Sequence, residues 1–163
     1  MRCNHSSLSY IRTSRQDEWR NYTLSMEANF KRNPMRYLKI VTTITVVVVA
    51  AIHVVISIVE MFLWQNPLVY QRLDFPADVA NQVAPIVQNA GLYNGFIAAG
   101  LIWAAFAKSN TVRLRVFFLV CVIIAGIFGA LTLKWTTLAL QTLPGFIALA
   151  SVWLTSSQLK LQD

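Results

Sequence analysis

Four long apolar stretches dominate the chain, over residues 38–63, 86–107, 116–133 and 136–154. Each approaches or exceeds the ~20 residues that a helix needs to cross a ~30 Å hydrocarbon core. Apolar residues cover every side of these runs, whereas the strands of a membrane barrel alternate and are ~10 residues long. Even the β-branched stretch Val46 to Val49 lies inside a run too long for a strand. The pattern predicts an all-α integral membrane protein, a four-helix bundle. Between the first two spans, Asp74 precedes Phe75-Pro76-Ala77-Asp78, which reads as an N-cap followed by Pro in the first turn. A short outer-loop helix is therefore expected, running into the second span with Pro85 kinking it at the membrane surface.

Composition agrees with the pattern. At 163 residues a single domain is expected. The chain is 56% hydrophobic and 13% charged, where a soluble domain is roughly a quarter charged. Of its acidic and basic residues, only Glu60 lies deep in an apolar run. The charges also set an orientation. Of the 14 Lys and Arg, only Arg72 and Lys134 fall on one side; the N-terminal tail, the first helix entrance, the loop after residue 107 and the C-terminus hold the rest. Basic residues accumulate on the cytoplasmic side, so the arrangement is N-in, C-in, and too one-sided for a dual-topology protein.

Residues 1–34 form a basic tail without helical periodicity, expected to be disordered. Residues 35–156 form the spanning domain and 157–163 a short C-terminal tail. Met26 and Met35 are alternative starts, and no cleavable signal peptide is visible, because the first apolar run begins late and is too long. The sequons at Asn4 and Asn21 fall on the inner side and stay unmodified. The tail's cations suit membrane lipids as partners, each worth ~1 kcal/mol near an anionic leaflet; no nucleic-acid partner is expected. Two cysteines, Cys3 and Cys121, and two histidines are too few for a disulfide framework, a four-thiolate zinc site or a multi-histidine iron centre. Neither a metal nor a cofactor is expected.

Polar residues inside the spans carry the chemistry. On the first helix Thr42, His53, Ser57, Glu60 and Trp64 share a narrow arc at 100° per residue. His53 and Glu60 lie about 10.5 Å apart along the axis, too far for a direct bond, so each is expected to find a partner on another helix. The second helix offers Gln88, Asn89, Tyr93 and Asn94, the third Thr132, and the fourth Thr137 and Gln141. With the N-terminus inside, nearly all of these fall in the outer half of the bilayer. That convergence predicts a polar pocket opening outward. An ionisable residue within a span costs ~2.5–3.5 kcal/mol to insert at the centre and is a functional candidate by default. Glu60 and His53 are the candidate proton-transfer groups, with Ser57, Trp64, Asn89, Tyr93, Asn94 and Gln141 as candidate ligand-binding residues. Small residues at helical spacing, Gly91 and Gly95 on the second helix and Gly126 and Gly129 on the third, suit close helix packing or a homo-oligomer. Trp64 and Trp135 read as outer interface anchors, and Trp103 and Trp153 as inner-half packing.

The stretches His53 through Glu60-Met61-Phe62-Leu63-Trp64, Asn89-Ala90-Gly91-Leu92-Tyr93-Asn94-Gly95-Phe96, Gly126-Ile127-Phe128-Gly129 and Gln141-Thr142-Leu143-Pro144 resemble the small bacterial membrane proteins grouped as the "domain of unknown function 1304" family. The resemblance covers about residues 38–154. It implies four spans and a place in the bacterial cytoplasmic (inner) membrane, and it implies no activity. Three functions fit the residues. In the first, the outer pocket binds a hydrophobic small molecule or lipid, with Glu60 and His53 available for proton-only chemistry such as isomerisation, hydration or hydrolysis; whether the chain is an enzyme stays open. In the second, the chain is a structural or accessory membrane subunit whose polar groups join helices. In the third, it is a proton-coupled small-molecule exporter, superficially like small multidrug transporters. An export path needs polarity in both halves, where the inner half offers Thr42, Thr45 and Ser151.

Overall fold

The computed structural model describes Gln16, residues 18–27 and residues 34–160, and its regular structure is helical throughout. The chain divides into two compact units, Met1–Tyr37 and Leu38–Asp163. In the first, residues 18–27 form an exposed helix where the sequence shows no helical periodicity. Its Trp19 and Tyr22 meet edge to face at 6.3 Å, and the Thr23 and Ser25 hydroxyls donate to the Arg20 and Tyr22 carbonyls, each at 2.8 Å. The disorder expected for the remainder of the tail concerns positions outside the described residues.

The rest of the chain is built from long helices. Helix α1 (Pro34–Ile58) runs directly into a π-helical turn (Val59–Leu63). A short helix α2 (Pro67–Tyr70) and a 3-10 turn (Gln71–Leu73) lead to α3 (Ala77–Phe106). Then come α4 (Thr111–Thr132), a second π-helical turn (Leu138–Thr142), and α5 (Leu143–Lys160). The fourth apolar run therefore continues as helix to Lys160, through much of the segment expected as a tail. Three stretches are long and apolar enough to cross a membrane: Pro34–Leu63, Thr111–Thr132 and Leu138–Leu159. Helix α3 is long enough at 30 residues, but Gln88, Asn89, Tyr93 and Asn94 make it less apolar than those three.

The loop before α3 differs from the sequence expectation in where its cap sits. The expected helix is the start of α3, which begins at Ala77 and runs into the second apolar run as predicted. The separate short helix α2 was not expected, and its N-cap is Asn66, whose Oδ1 accepts from the Leu68 N–H at 3.0 Å ahead of Pro67 in the first turn. Asp74 caps no helix start. It lies in the left-handed region (φ 62°) closing the 3-10 turn, and its carboxylate takes the Lys134 ammonium at 2.7 Å. An ion pair with a residue from the loop after α4 draws that carboxylate away from the α3 N–H groups. Helix α3 starts after Pro76 with no side-chain cap and passes through Pro85 as one continuous helix.

Helix α4 packs along α3 on one side and along α5 with its π-turn on the other, while the π-turn of α1 packs on α3. One closed apolar cluster joins Val46, Val49 and Ala50 of α1 with Leu101 and Ala105 of α3, Leu119 and Val122 of α4, and Ala148 and Val152 of α5. A second cluster, Trp64, Tyr70, Ala80 and Ala84, covers the end where α1 turns into α2.

Candidate functional site

Glu60 sits on the π-turn that ends α1, half-buried and turned to α3. Asn94 Nδ2 donates to Glu60 Oε2 at 2.8 Å and to its own helix's Ala90 carbonyl at 3.3 Å. Glu60 Oε1 has no hydrogen bond among the described residues. The two helices come this close because α3 carries glycine at the crossing. A Cβ on Gly91 would lie 2.7 Å from Met61 Cγ, 2.9 Å from Glu60 Cβ and 3.0 Å from the Met61 backbone nitrogen. One turn along, a Cβ on Gly95 would lie 3.1 Å from Ser57 Oγ, and that hydroxyl donates to Met61 Sδ at 3.6 Å. Ser57, Glu60 and Asn94 are thus gathered at one crossing. A carboxylate with one oxygen held and one open can accept a donor or exchange a proton.

The other candidates lie elsewhere. His53 is almost wholly buried, but its Nδ1 bonds the Val49 carbonyl of its own helix at 2.9 Å, where a partner on another helix was expected. As a neutral ring it donates through Nδ1, which leaves Nε2 an acceptor. Trp64 is no interface anchor: it is buried, its Nε1 donates to the Ala80 carbonyl at 2.8 Å, and Phe75 meets its ring edge at 5.5 Å. It ties the end of α1 to the start of α3. Asn89 and Tyr93 are exposed on α3, Tyr93 edge-on to Phe96 at 6.1 Å. Gln141 is half-buried on the π-turn before α5, beside Gly126. Trp103 and Trp153, expected to pack, are exposed, as is Trp135.

Three features were not singled out from the sequence. Thr155 completes a hydroxyl network between α1 and α5: Thr42 Oγ1 lies 2.8 Å from Thr155 Oγ1 and 3.0 Å from the Ser151 carbonyl, and Thr45 Oγ1 lies 2.9 Å from Ser151 Oγ. The spacing of Ser151 and Thr155, one turn apart opposite Thr42, was the available signal. Arg115 is nine-tenths buried and bonds the Ala104 and Ala105 carbonyls of α3 and the Thr43 hydroxyl of α1. A cation just past the end of a helix was the signal there, since the last carbonyls of a helix lack partners. Thr142 Oγ1 is buried without a hydrogen-bond partner, packed against Gly126.

The glycines expected to serve either packing or a homo-oligomer face neighbouring helices of the same chain: Gly91 and Gly95 meet α1, Gly126 meets Thr142, and Gly129 meets Thr137. Among the described residues, no three His, Cys, Asp or Glu gather at metal-holding distance. The family described as "Protein of unknown function (DUF1304)" matches residues 47–153, a stretch that holds His53, Glu60, Asn94 and Gln141. No curated protein and no solved structure matches the chain.

Proposed function

This chain belongs to the DUF1304 family, and from that premise we propose that it is a four-span protein of the bacterial inner membrane, N-in and C-in, that binds a hydrophobic small molecule or lipid in the outer half of the bilayer at Glu60. Helix α3 is the fourth span, its polar residues placed where α1 brings its own. The observation that carries the reading is the 2.8 Å bond from Asn94 to one oxygen of Glu60, with the other oxygen open. That arrangement orients a carboxyl toward an incoming polar head. The flanking Phe62 and Phe96 are exposed and offer contact to an apolar body. His53, about 10.5 Å down the helix axis and held by its own backbone, supports α1 and does not share a reacting atom with Glu60.

The distribution of polarity supports a one-sided site over an export path. The hydroxyl network at Thr42 and the carboxyl at Glu60 lie on opposite sides of the closed cluster of Val46, Val49, Leu101, Leu119 and Val122. The accessory-subunit reading draws on the same bonds, because Asn94 to Glu60 and Thr42 to Thr155 join helices of one chain. Native mass spectrometry of wild type beside Glu60→Gln, purified in mild detergent, decides between them. The expected result is a discrete adduct on the wild type that is absent from the folded variant. Empty spectra from both folded proteins overturn the ligand site and leave the joining role.

A further inference from the structure

The corner where α3 hands over to α4 combines an uncapped helix start with unopposed positive charge. Asn110, the N-cap of α4, lies in the left-handed region (φ 54°) and makes no side-chain cap bond. The first backbone bond of the helix comes from Leu114 N–H to the Asn110 carbonyl, so the N–H groups of Thr111, Val112 and Arg113 point out of the helix without acceptors among the described residues. A helix N-terminus favours negative charge, yet this first turn carries Arg113, with Arg115 just after it and Lys108 just ahead. Arg115 bonds only neutral oxygens, leaving Nη1 without a bond among the described residues. Its acceptor Thr43 Oγ1 donates in turn to the Lys39 carbonyl at 3.0 Å. The chain has no Asp or Glu between Glu27 and Glu60, nor between Asp78 and Asp163.

Among the described residues of the spanning unit no Asp or Glu bonds these cations, whose charge an anion from outside would neutralise. Directly beside the cations, Phe106 is 69% exposed, Val112 44% and Val116 38%, an apolar border that a free inorganic anion would not use. We propose that this corner seats the headgroup phosphate of an anionic phospholipid on Lys108, Arg113, Arg115 and the open N–H groups of α4, with an acyl chain lying along Phe106, Val112 and Val116. The proposal rests on the membrane placement given above, not on the Glu60 site. It assigns the corner to the headgroup level of the inner leaflet.

The test is native mass spectrometry of the full chain titrated with phosphatidylglycerol or phosphatidylcholine of identical acyl chains, beside the double variant Lys108→Gln, Arg113→Gln. Both positions are exposed, so the variant keeps the Arg115 bonds and the fold. Wild type is expected to retain one phosphatidylglycerol at about tenfold lower lipid concentration than phosphatidylcholine, and the double variant to lose that preference, as two cations each worth about a fewfold in affinity imply. Equal retention of the two lipids, or a preference that survives in the variant, overturns the site. Displacement of the lipid by an equal concentration of inorganic phosphate overturns the acyl-chain contact. Recovery of the chain in the membrane fraction is read in the same preparations, so loss of lipid preference in a membrane-embedded chain separates failure of this site from failure of the membrane placement.

Discussion

Arg115 reaches back across the turn Ala107–Asn110 and satisfies carbonyls that the end of α3 would otherwise leave open, while also holding Thr43 of α1. Charge-assisted bonds of this kind are worth more than neutral ones, and a buried acceptor left unpaired costs its desolvation. Arg115→Gln is therefore expected to lower unfolding stability by about 2 kcal/mol, measured by thermal unfolding in detergent. Arg113→Gln, two residues away and exposed, is expected to stay within about 0.5 kcal/mol of wild type. Equal losses in the two variants would mean that charge, and not the bonds of Arg115, holds the corner. The opposite case is Thr142, whose buried Oγ1 has no bond. Its hydroxyl is accommodated because Gly126 has no Cβ, which would collide with Oγ1.

Two helices widen into π-turns, at Val59–Leu63 and Leu138–Thr142, and each turn carries a polar residue, Glu60 or Gln141, to a glycine on the neighbouring helix. The crossing of α1 on α3 depends on Gly91, because the atoms it faces include the Met61 backbone nitrogen, which cannot swing aside. Gly91→Ala is expected to cost about 1–3 kcal/mol through overpacking and to weaken retention of any ligand that needs Glu60. Gly95→Ala faces only the Ser57 hydroxyl and gains helix propensity of up to ~1 kcal/mol, so it is expected to be neutral or stabilising in the same thermal assay. The apolar runs were legible in the sequence because a span must be apolar for its whole length, and all four became helices. The meeting of Glu60 with Asn94 was half legible: depth placed both in one half, but the partner could not be chosen among Gln88, Asn89 and Asn94 without knowing how α3 is rotated. Trp64 misled because an indole near the end of a span looks the same in sequence whether it faces headgroups or, as here, the Ala80 carbonyl. The π-turns left no trace, since a skipped backbone bond has no residue signature.

For the whole molecule, the proposed orientation puts Ser109 inside and Gln71 outside, both exposed. In a chain with Cys3 and Cys121 replaced by Ser, Gln71→Cys is expected to react with a membrane-impermeant maleimide on intact cells, and Ser109→Cys only after permeabilisation. Labelling of both from one side would overturn the orientation. In that orientation the closed layer of Val46, Val49, Leu101, Leu119 and Val122 has an electrical consequence. A membrane voltage falls mainly across the least polarisable part of its path and flattens where water reaches in. The ~2.3 kcal/mol per unit charge per 100 mV therefore acts on charge carried through that layer. Glu60 lies on its outer side, so a proton or cation arriving there from outside has crossed little of the field. In the proposed orientation, occupancy of Glu60 is expected to follow the composition of the outer medium, with the energised state of the membrane leaving it nearly untouched.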